Sequence, residues 1–155
     1  MNKTLPVGGV AVAVDGSEHS ETTVAWAVKF ARQLALPVTV VHVWEIDMPL
    51  APYGYVAPNS PAQAEEAAEA VVEGQLAPYA DGVSGCIIQG SWRDLVAASE
   101  DVTLLVVGAR PHTKHRGLGH FSHMVASHAG CPVVVVPTAL PSAHDTELPM
   151  TASLV

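Results

Sequence analysis

Positively charged and aromatic residues are scarce in this chain of 155 residues. It has 7 lysine and arginine residues against 15 aspartate and glutamate residues, which gives a formal net charge of −8. Non-specific nucleic-acid binding needs an extended basic surface, so this balance argues against a nucleic-acid partner. Aromatic residues make up only 5% of the chain, whereas hydrophobic residues make up 49%. The core must therefore be built mainly from small aliphatic side chains, which favours a compact α/β fold.

Long apolar runs and clustered cysteines are also missing. No apolar run approaches the roughly 20 residues that cross a membrane, so we expect no membrane partner. A short apolar run near the N-terminus is followed at once by Asp15 and Glu18. It predicts a first strand rather than a signal peptide, and we therefore expect a cytoplasmic protein. Cys86 and Cys131 are isolated and lack metal-ligand spacing, so we predict reduced core thiols.

The sequence has no recognisable catalytic motif. The P-loop pattern and the G-x-S-x-G pattern are both absent. Ser17 and Ser20 lie near His19 and Asp15, but sequence neighbours on one helix rarely converge as a catalytic triad. Helix-capping serines are the favoured interpretation. We therefore predict a protein that is not an enzyme and has no catalytic residues.

Four histidines raise the question of a metal site. Their spacing is H-x2-H-x4-H-x2-H, and they are His112, His115, His120 and His123. Imidazoles at such spacing could bind zinc. No cysteine lies among them, however, and the segment has no regular period that would orient the rings. We therefore predict no metal site.

Strand-like and helix-like segments alternate along the chain. Runs rich in valine, isoleucine and leucine predict five strands, at Val7–Val14, Val38–Trp44, Val83–Gln89, Val102–Val107 and Pro132–Val136. Helices are predicted from the cap at Ser17 to Pro37, and over Ala62–Tyr79, Trp92–Ser99 and Phe121–Ala129. Continuous aliphatic strands separated by helices are typical of a parallel sheet covered on both faces. Glu45–Pro61 predicts a long loop. Residues 1–137 then form one domain, and residues 138–155 form an irregular C-terminal tail.

Ligands of such sheets bind outside the carboxyl ends of the strands. Asp15, Trp44, Gly90 and Gly108 lie at or just past predicted strand ends, so we expect them around one crevice. Asp15 has two interpretations. It could accept hydrogen bonds from a ribose or an adenine edge, or it could form the turn before a helix. The second is favoured by the sequence alone.

Much of the scarce positive charge lies in residues 108–122, which read GARPHTKHRGLGHFS. Arg110, Lys114 and Arg116 supply the charge. Gly117, Gly119 and a helix start near Ser122 could offer backbone N–H groups to an anion such as phosphate. The alternative is a solvated loop whose cations offset an acidic surface.

These features together resemble the universal stress protein family, across roughly Val7 to Pro137. The matching segments are Val12–Ser17 (VAVDGS), Val41–Val43 (VHV), Gly90, Leu104–Arg110 (LLVVGAR) and Ala129–Val136 (AGCPVVVV). The resemblance implies a doubly wound five-stranded parallel sheet with helices on both faces, of the adenine nucleotide alpha hydrolase-like type, with strand order 3-2-1-4-5. It also implies a stress-linked regulatory role rather than clear catalysis. The family usually forms homodimers through the last strand, here Pro132 to Val136, whose exposed edge would invite such pairing.

Some members of this family bind ATP through the signature G-x2-G-x9-G-[ST]. Gly108 and Ser122 match it, whereas Pro111 and Phe121 replace the other two glycines. Pro111 has no N–H to offer, and Phe121 places bulk where a phosphate would approach closely. The ligands to consider are therefore ATP, AMP and cyclic AMP, with the usual ATP pose disfavoured.

The resemblance also implies which residues bind the ligand. It places the adenosine against Ala13, Asp15 and the backbone of Val43. The full set of predicted binding residues is Ala13, Asp15, Val43, Gly108, Arg110, Gly117, Gly119, Ser122 and His123.

Three functions stay open on the sequence. The first is a regulatory, non-enzymatic homodimer with a crevice for an adenine nucleotide. The second is a protein-interaction module of the same fold that has lost nucleotide binding, as Pro111 and Phe121 suggest. The third is a weak nucleotide hydrolase in which loop cations stabilise phosphate charge and Asp15 orients water.

Overall fold

The computed structural model describes residues 1–46, 60–109 and 118–137. Most of the predicted 45–61 loop and all of the predicted 138–155 tail lie outside the described residues. The strands are β1 (Val10–Val14), β2 (Val38–Trp44), β3 (Val83–Gln89), β4 (Leu104–Ala109) and β5 (Val133–Pro137). The helices are α1 (Glu18–Gln33), α2 (Pro61–Leu76), α3 (Trp92–Ala98) and α4 (His120–His128).

The five strands form one parallel sheet with the order β3-β2-β1-β4-β5. This confirms the predicted fold class and strand order. The chain winds outward from β1 in one direction through β2 and β3, and in the other through β4 and β5. The carboxyl ends of β1 and β4 therefore flank the point where the winding reverses, which is where such sheets bind ligands.

Helices cover both faces of the sheet because side chains alternate along each strand. In one core, valines of β1 and β2 pack against valines of α1 and α2, and this core includes Val12, Val24, Val28, Val40 and Val72. The other contains the side chains that face α3 and α4, including Ala11, Val41, Leu95, Leu105 and Val125. Each residue in these two lists is at most 2% exposed, so the small aliphatic side chains do form the core.

Strand β1 begins three residues later than predicted. Val7 is 84% exposed, and Gly8 and Gly9 both have positive φ angles, of 74° and 73°. Two successive residues in this conformation cannot continue a strand. A Cβ on Gly9 would also lie 2.9 Å from the carbonyl oxygen of Pro37, so glycine is required for this close approach.

Other predicted bounds also shift at the ends. Strand β4 runs to Ala109 because Gly108 and Ala109 pair with Val136 and Pro137 of β5. Helix α2 begins at Pro61, after a capping box at Ser60, and ends at Leu76 rather than Tyr79. Helix α3 ends one residue earlier than predicted, α4 begins and ends one residue earlier, and β5 lies one residue later. The bounds of β2 and β3 match the prediction.

The two edges of the sheet differ. At β3, the N–H of Ile87 donates to the carbonyl of Asn2 at 2.9 Å, and Asn2 bridges Cys86 in parallel. Lys3 forms an ion pair with Glu65 of α2 at 2.5 Å, and this contact raises the pKa of Lys3. At β5, Val133, Val134 and Val135 are half-buried, and no further strand pairs with β5 among the described residues.

No helix among the described residues is both long enough and apolar enough to cross a membrane.

Candidate functional site

A cavity of about 390 Å³ lies at the carboxyl ends of β1, β2 and β4, between the first turns of α1 and α4. The strands and the residue after β1 contribute Ala13, Val14, Asp15, His42, Val43, Gly108 and Ala109. The helices and their N-caps contribute Ser17, His19, Ser20, Thr23, Gly119, His120, Phe121 and Ser122. The cavity thus occupies the reversal point of the sheet.

Asp15 organises the turn that leads from β1 into α1. Its Oδ1 accepts hydrogen bonds from the N–H of Ser17 at 3.0 Å and from the hydroxyl of Ser20 at 2.9 Å. The N–H of Asp15 donates to the same Ser20 hydroxyl at 3.1 Å. Ser17 occupies the N-cap position of α1, but its side chain makes no capping hydrogen bond. The turn-forming interpretation of Asp15 is therefore correct, and the exposed side chain also lines the cavity.

His42 joins β2 to the end of β1. The register of the two strands pairs His42 with Val14, and Nδ1 of His42 lies 2.8 Å from the carbonyl oxygen of Val14. The ring is half-buried and lines the cavity. This contact holds the imidazole at the wall of the cavity.

Ser122 joins the first turn of α4 to the end of β4. Its hydroxyl donates to the carbonyl of Gly108 at 2.7 Å, and the residue is only 8% exposed. Gly119 is the N-cap of this helix, which has no side-chain cap. The N–H groups of a first helical turn lack partners within the helix and carry partial positive charge. Residues of this turn line the cavity, so an anion bound there would lie beside the positive end of the helix.

Comparison with known proteins agrees with this architecture. The model of the universal stress protein family matches residues 8–137. The chain belongs to the universal stress protein family. A universal stress protein of Mycolicibacterium smegmatis is 29% identical over 161 residues, which cover 92% of this chain and 52% of that protein. One of Mycobacterium tuberculosis is 30% identical over 147 residues, which cover 88% and 50%. The chain thus spans about half the length of these curated relatives.

Solved structures of universal stress proteins share the fold. One in complex with cAMP has a TM-score of 0.64 and 20% identity, covering 86% of this chain and 99% of that one. A second, from Archaeoglobus fulgidus in complex with dAMP, has a TM-score of 0.58 and 22% identity, covering 84% and 98%. These similarities show that the chain has the architecture of this family.

The structure brings together six of the nine residues predicted to bind a ligand in this universal stress protein. Ala13, Asp15, Val43, Gly108, Gly119 and Ser122 all line the cavity. His123 is exposed and is not part of the cavity wall. Arg110 and Gly117 lie outside the described residues, as do Lys114, Arg116 and Pro111. Phe121 does line the cavity and is 36% exposed.

The expectation that all strand ends share one crevice is wrong for Trp44 and Gly90, neither of which lines the cavity. Gly90 follows β3, two strands away from β1, and its N–H donates to the carbonyl of Trp44 at 2.9 Å. The Trp44 side chain packs against the core beneath α1 and α2. Only strand ends close to the reversal point contribute to the cavity.

Six polar residues of the cavity wall were not among the predicted binding residues, and they are Ser17, His19, Ser20, Thr23, His42 and His120. Thr23 is buried, and its hydroxyl donates to the carbonyl of His19 at 3.2 Å. The strand order contained a signal for His42, because β2 lies beside β1 and their carboxyl ends must meet.

Neither a metal cluster nor a serine–histidine pair is present within residues 1–46, 60–109 and 118–137. No group of three histidine, cysteine, aspartate or glutamate residues there could hold a metal ion. Ser20, the buried serine beside Asp15, donates to that carboxylate rather than to an imidazole. His112 and His115 of the histidine series lie outside the described residues.

Proposed function

We propose that this universal stress protein binds an adenine nucleotide with a single phosphate, such as AMP or cyclic AMP, and acts as a cytoplasmic, non-enzymatic regulator of the stress response. The observation that carries the proposal is the cavity at the reversal point of the sheet, which is lined by Ala13, Asp15, Val43, Gly108, Gly119 and Ser122. The same residues were expected to bind a nucleotide from the sequence.

The size of the cavity supports a small-molecule ligand. Its volume of about 390 Å³ falls within the range of about 300–1,000 Å³ that is typical of ligand pockets. Its polar groups come from the strand ends, from the start of α1 and from the first turn of α4. The acceptors Asp15 and His42 stand at the ends of β1 and β2, and the N–H groups of the first turn of α4 stand beside β4. A nucleoside and its phosphate need this pairing of acceptors with donors.

Phe121 supports a single phosphate over a triphosphate. Its side chain occupies the cavity wall in the first turn of α4, where the phosphates of a longer ligand would extend. The two solved structures of this fold described above are complexes with cAMP and dAMP, which each carry one phosphate. We therefore expect AMP or cyclic AMP to bind more tightly than ATP.

Isothermal titration calorimetry with AMP, cyclic AMP and ATP tests this function. Wild-type protein should release or absorb heat with AMP or cyclic AMP at lower concentrations than with ATP. Ala13→Leu should abolish binding because it fills the cavity. Ala98→Leu is the matched control, since Ala98 is a half-buried alanine packed against the same core but outside the cavity. No heat with any nucleotide up to the millimolar range would contradict the proposal.

Phe121 also favours a second function, that of a protein-interaction module without a nucleotide. An aromatic side chain that is 36% exposed at the cavity could serve as a contact for a partner. Mass spectrometry of the denatured, purified protein separates the two functions. A co-purified adenine nucleotide supports the first, and its absence together with silent titrations supports the second. Phosphate release from added ATP would instead support the weak hydrolase.

We also propose that two copies pair through β5. The edge of β5 presents the half-buried valines Val133, Val134 and Val135, whereas Asn2 already bridges the other edge, at β3. Exposed strand edges invite pairing with another chain. Val134→Lys should therefore give a monomer in sedimentation analysis. Val83→Lys is the matched control, because Val83 is also a half-buried edge valine beside the same core, and it should remain dimeric. A monomeric wild type would contradict the pairing.

A further inference from the structure

We propose that His42 contacts the ligand directly, and that its Nε2 accepts a hydrogen bond from a donor group of the bound nucleoside. The inference rests on the proposed function and deepens it, because it gives the cavity a fixed orientation for its ligand. It comes from the hydrogen bond of His42 to the backbone of β1 and from its place in the cavity wall.

The backbone of β1 determines which nitrogen of His42 carries a proton. Nδ1 lies 2.8 Å from the carbonyl oxygen of Val14, which can only accept a hydrogen bond. Nδ1 must therefore be protonated. In a neutral imidazole the other nitrogen then has a lone pair and acts as an acceptor. The pairing of His42 with Val14 in the parallel sheet makes this tautomer a property of the fold.

The second ring nitrogen is available to a ligand. His42 lines the cavity and is only half-buried, and among the described residues no group forms a hydrogen bond with its Nε2. The ring cannot turn freely toward another partner, since rotation would break the bond to Val14. A fixed acceptor thus stands in the cavity wall.

Strand order places this acceptor on the side of the cavity away from α4. His42 belongs to β2, and α4 follows β4, so the two lie on opposite sides of β1. Asp15, at the end of β1, adds a second acceptor. A phosphate accepts hydrogen bonds and suits the N–H groups of α4, whereas the amine and hydroxyl groups of a nucleoside donate them. The arrangement therefore directs the phosphate toward α4 and a nucleoside donor toward His42.

Two substitutions separate the two nitrogens of His42. In His42→Asn the side-chain amide can still donate to the Val14 carbonyl, but nothing replaces Nε2. In His42→Gln the amide reaches the position of Nε2, but the bond to Val14 is lost. His128→Asn is the matched control, because Nδ1 of His128 also lies 2.9 Å from a backbone carbonyl, that of Met124, yet His128 is outside the cavity.

Calorimetry with AMP should distinguish these variants. We expect about tenfold weaker binding for His42→Asn, the amount that one hydrogen bond of this kind contributes. His42→Gln should bind closer to wild type but unfold at lower urea, and His128→Asn should bind like wild type. Inosine monophosphate and 2′-deoxy-AMP identify the donor group, since the effect of His42→Asn should vanish with the analogue that lacks it.

Long-range ¹⁵N–¹H spectra give a readout that does not depend on affinity. The His42 signals, assigned by their loss in His42→Asn, should show a proton on Nδ1, and the Nε2 resonance should move when AMP is added. A proton on Nε2 in the neutral ring would overturn the inference, as would wild-type affinity in His42→Asn. If one of these two results is found and the wild type still binds AMP, only the role given to His42 is wrong. If wild type binds no nucleotide, the proposed function fails with it.

Discussion

Replacing Ser122 with alanine tests whether one hydroxyl supports the wall of the cavity. The Ser122 hydroxyl donates to the Gly108 carbonyl at 2.7 Å and so links the first turn of α4 to the end of β4. Because Ser122 is only 8% exposed, water cannot easily replace the lost donor. Removing such a hydrogen bond and leaving the acceptor unsatisfied costs about 1–2 kcal/mol.

The helix itself offsets part of this cost. Alanine is a better helix former than serine by roughly 0.5 kcal/mol, so the net loss of unfolding free energy should be about 1 kcal/mol. With a urea dependence of about 2 kcal/mol per molar, the midpoint of urea unfolding should fall by about 0.5 M. AMP binding should weaken as well, because the first turn of α4 is no longer held against β4.

Ser99→Ala provides the control for this prediction. Ser99 is fully buried, and its hydroxyl donates to the Val96 carbonyl at 3.0 Å, but the residue lies at the end of α3 and outside the cavity. Both variants should lose a similar amount of stability, and only Ser122→Ala should lose affinity for AMP. A urea midpoint equal to that of wild type for Ser122→Ala would refute the reasoning, as would equal losses of affinity in both variants.

Four further substitutions test the cavity wall, the backbone of two glycines and a buried thiol. Phe121→Ala should raise the affinity for ATP relative to AMP several-fold in calorimetry, and an unchanged ratio would show that its ring does not exclude longer ligands. Gly9→Ala should lower the free energy of unfolding by more than the roughly 1–2 kcal/mol that a positive φ angle costs, because its Cβ would lie 2.9 Å from a backbone oxygen. Gly82 has a φ angle of +78° and open space around its Cβ position, so Gly82→Ala should lose only the free energy that the positive φ angle costs. Equal urea midpoints for the Gly9→Ala and Gly82→Ala variants would contradict this prediction. Burial raises the pKa of the Cys86 thiol from 9.0 to about 11, so a thiol reagent at pH 8 should label Cys131 first. The stability that comes from the protonated Cys86 thiol is fully present below pH 9 and is lost as the pH rises toward 11. Urea unfolding at a series of pH values should show this loss in the wild type, and Cys86→Ala should remove this contribution.

The predicted fold was correct where local signals were strong. Strands β2 and β3 match their predicted bounds because they begin directly after Pro37 and Gly82, and β3 also ends directly before Gly90. The start of β1 was wrong because Val7 is apolar like the strand that follows. Val7 lies outside β1 because of the backbone conformation of Gly8 and Gly9 and because of contacts with residues distant in the sequence. One of these is the 2.7 Å hydrogen bond from the N–H of Gly8 to the carbonyl of Asp101.

The candidate site was predicted less completely than the fold. Asp15 and Gly108 could be placed because each lies at a strand end beside the reversal point. His42 was missed because its position depends on a hydrogen bond to Val14, 28 residues earlier in the chain. No local sequence pattern shows the strand register that brings these two residues together. The expectation for Gly90 was wrong because β2 separates β3 from β1, so the end of β3 lies two strands away from the end of β1.

If copies of the chain pair through β5 as proposed, the contact of Asn2 with β3 would limit how many copies could join. A parallel sheet with two open edges could add copies at both ends and grow into a filament. Here the backbone of Asn2 occupies a position on the β3 edge, whereas among the described residues no backbone bridge occupies the outer edge of β5. Pairing of β5 with β5 of a second copy would use that edge in both. Assembly through the sheet would then stop at two copies, so a few residues before β1 would set the size of the particle.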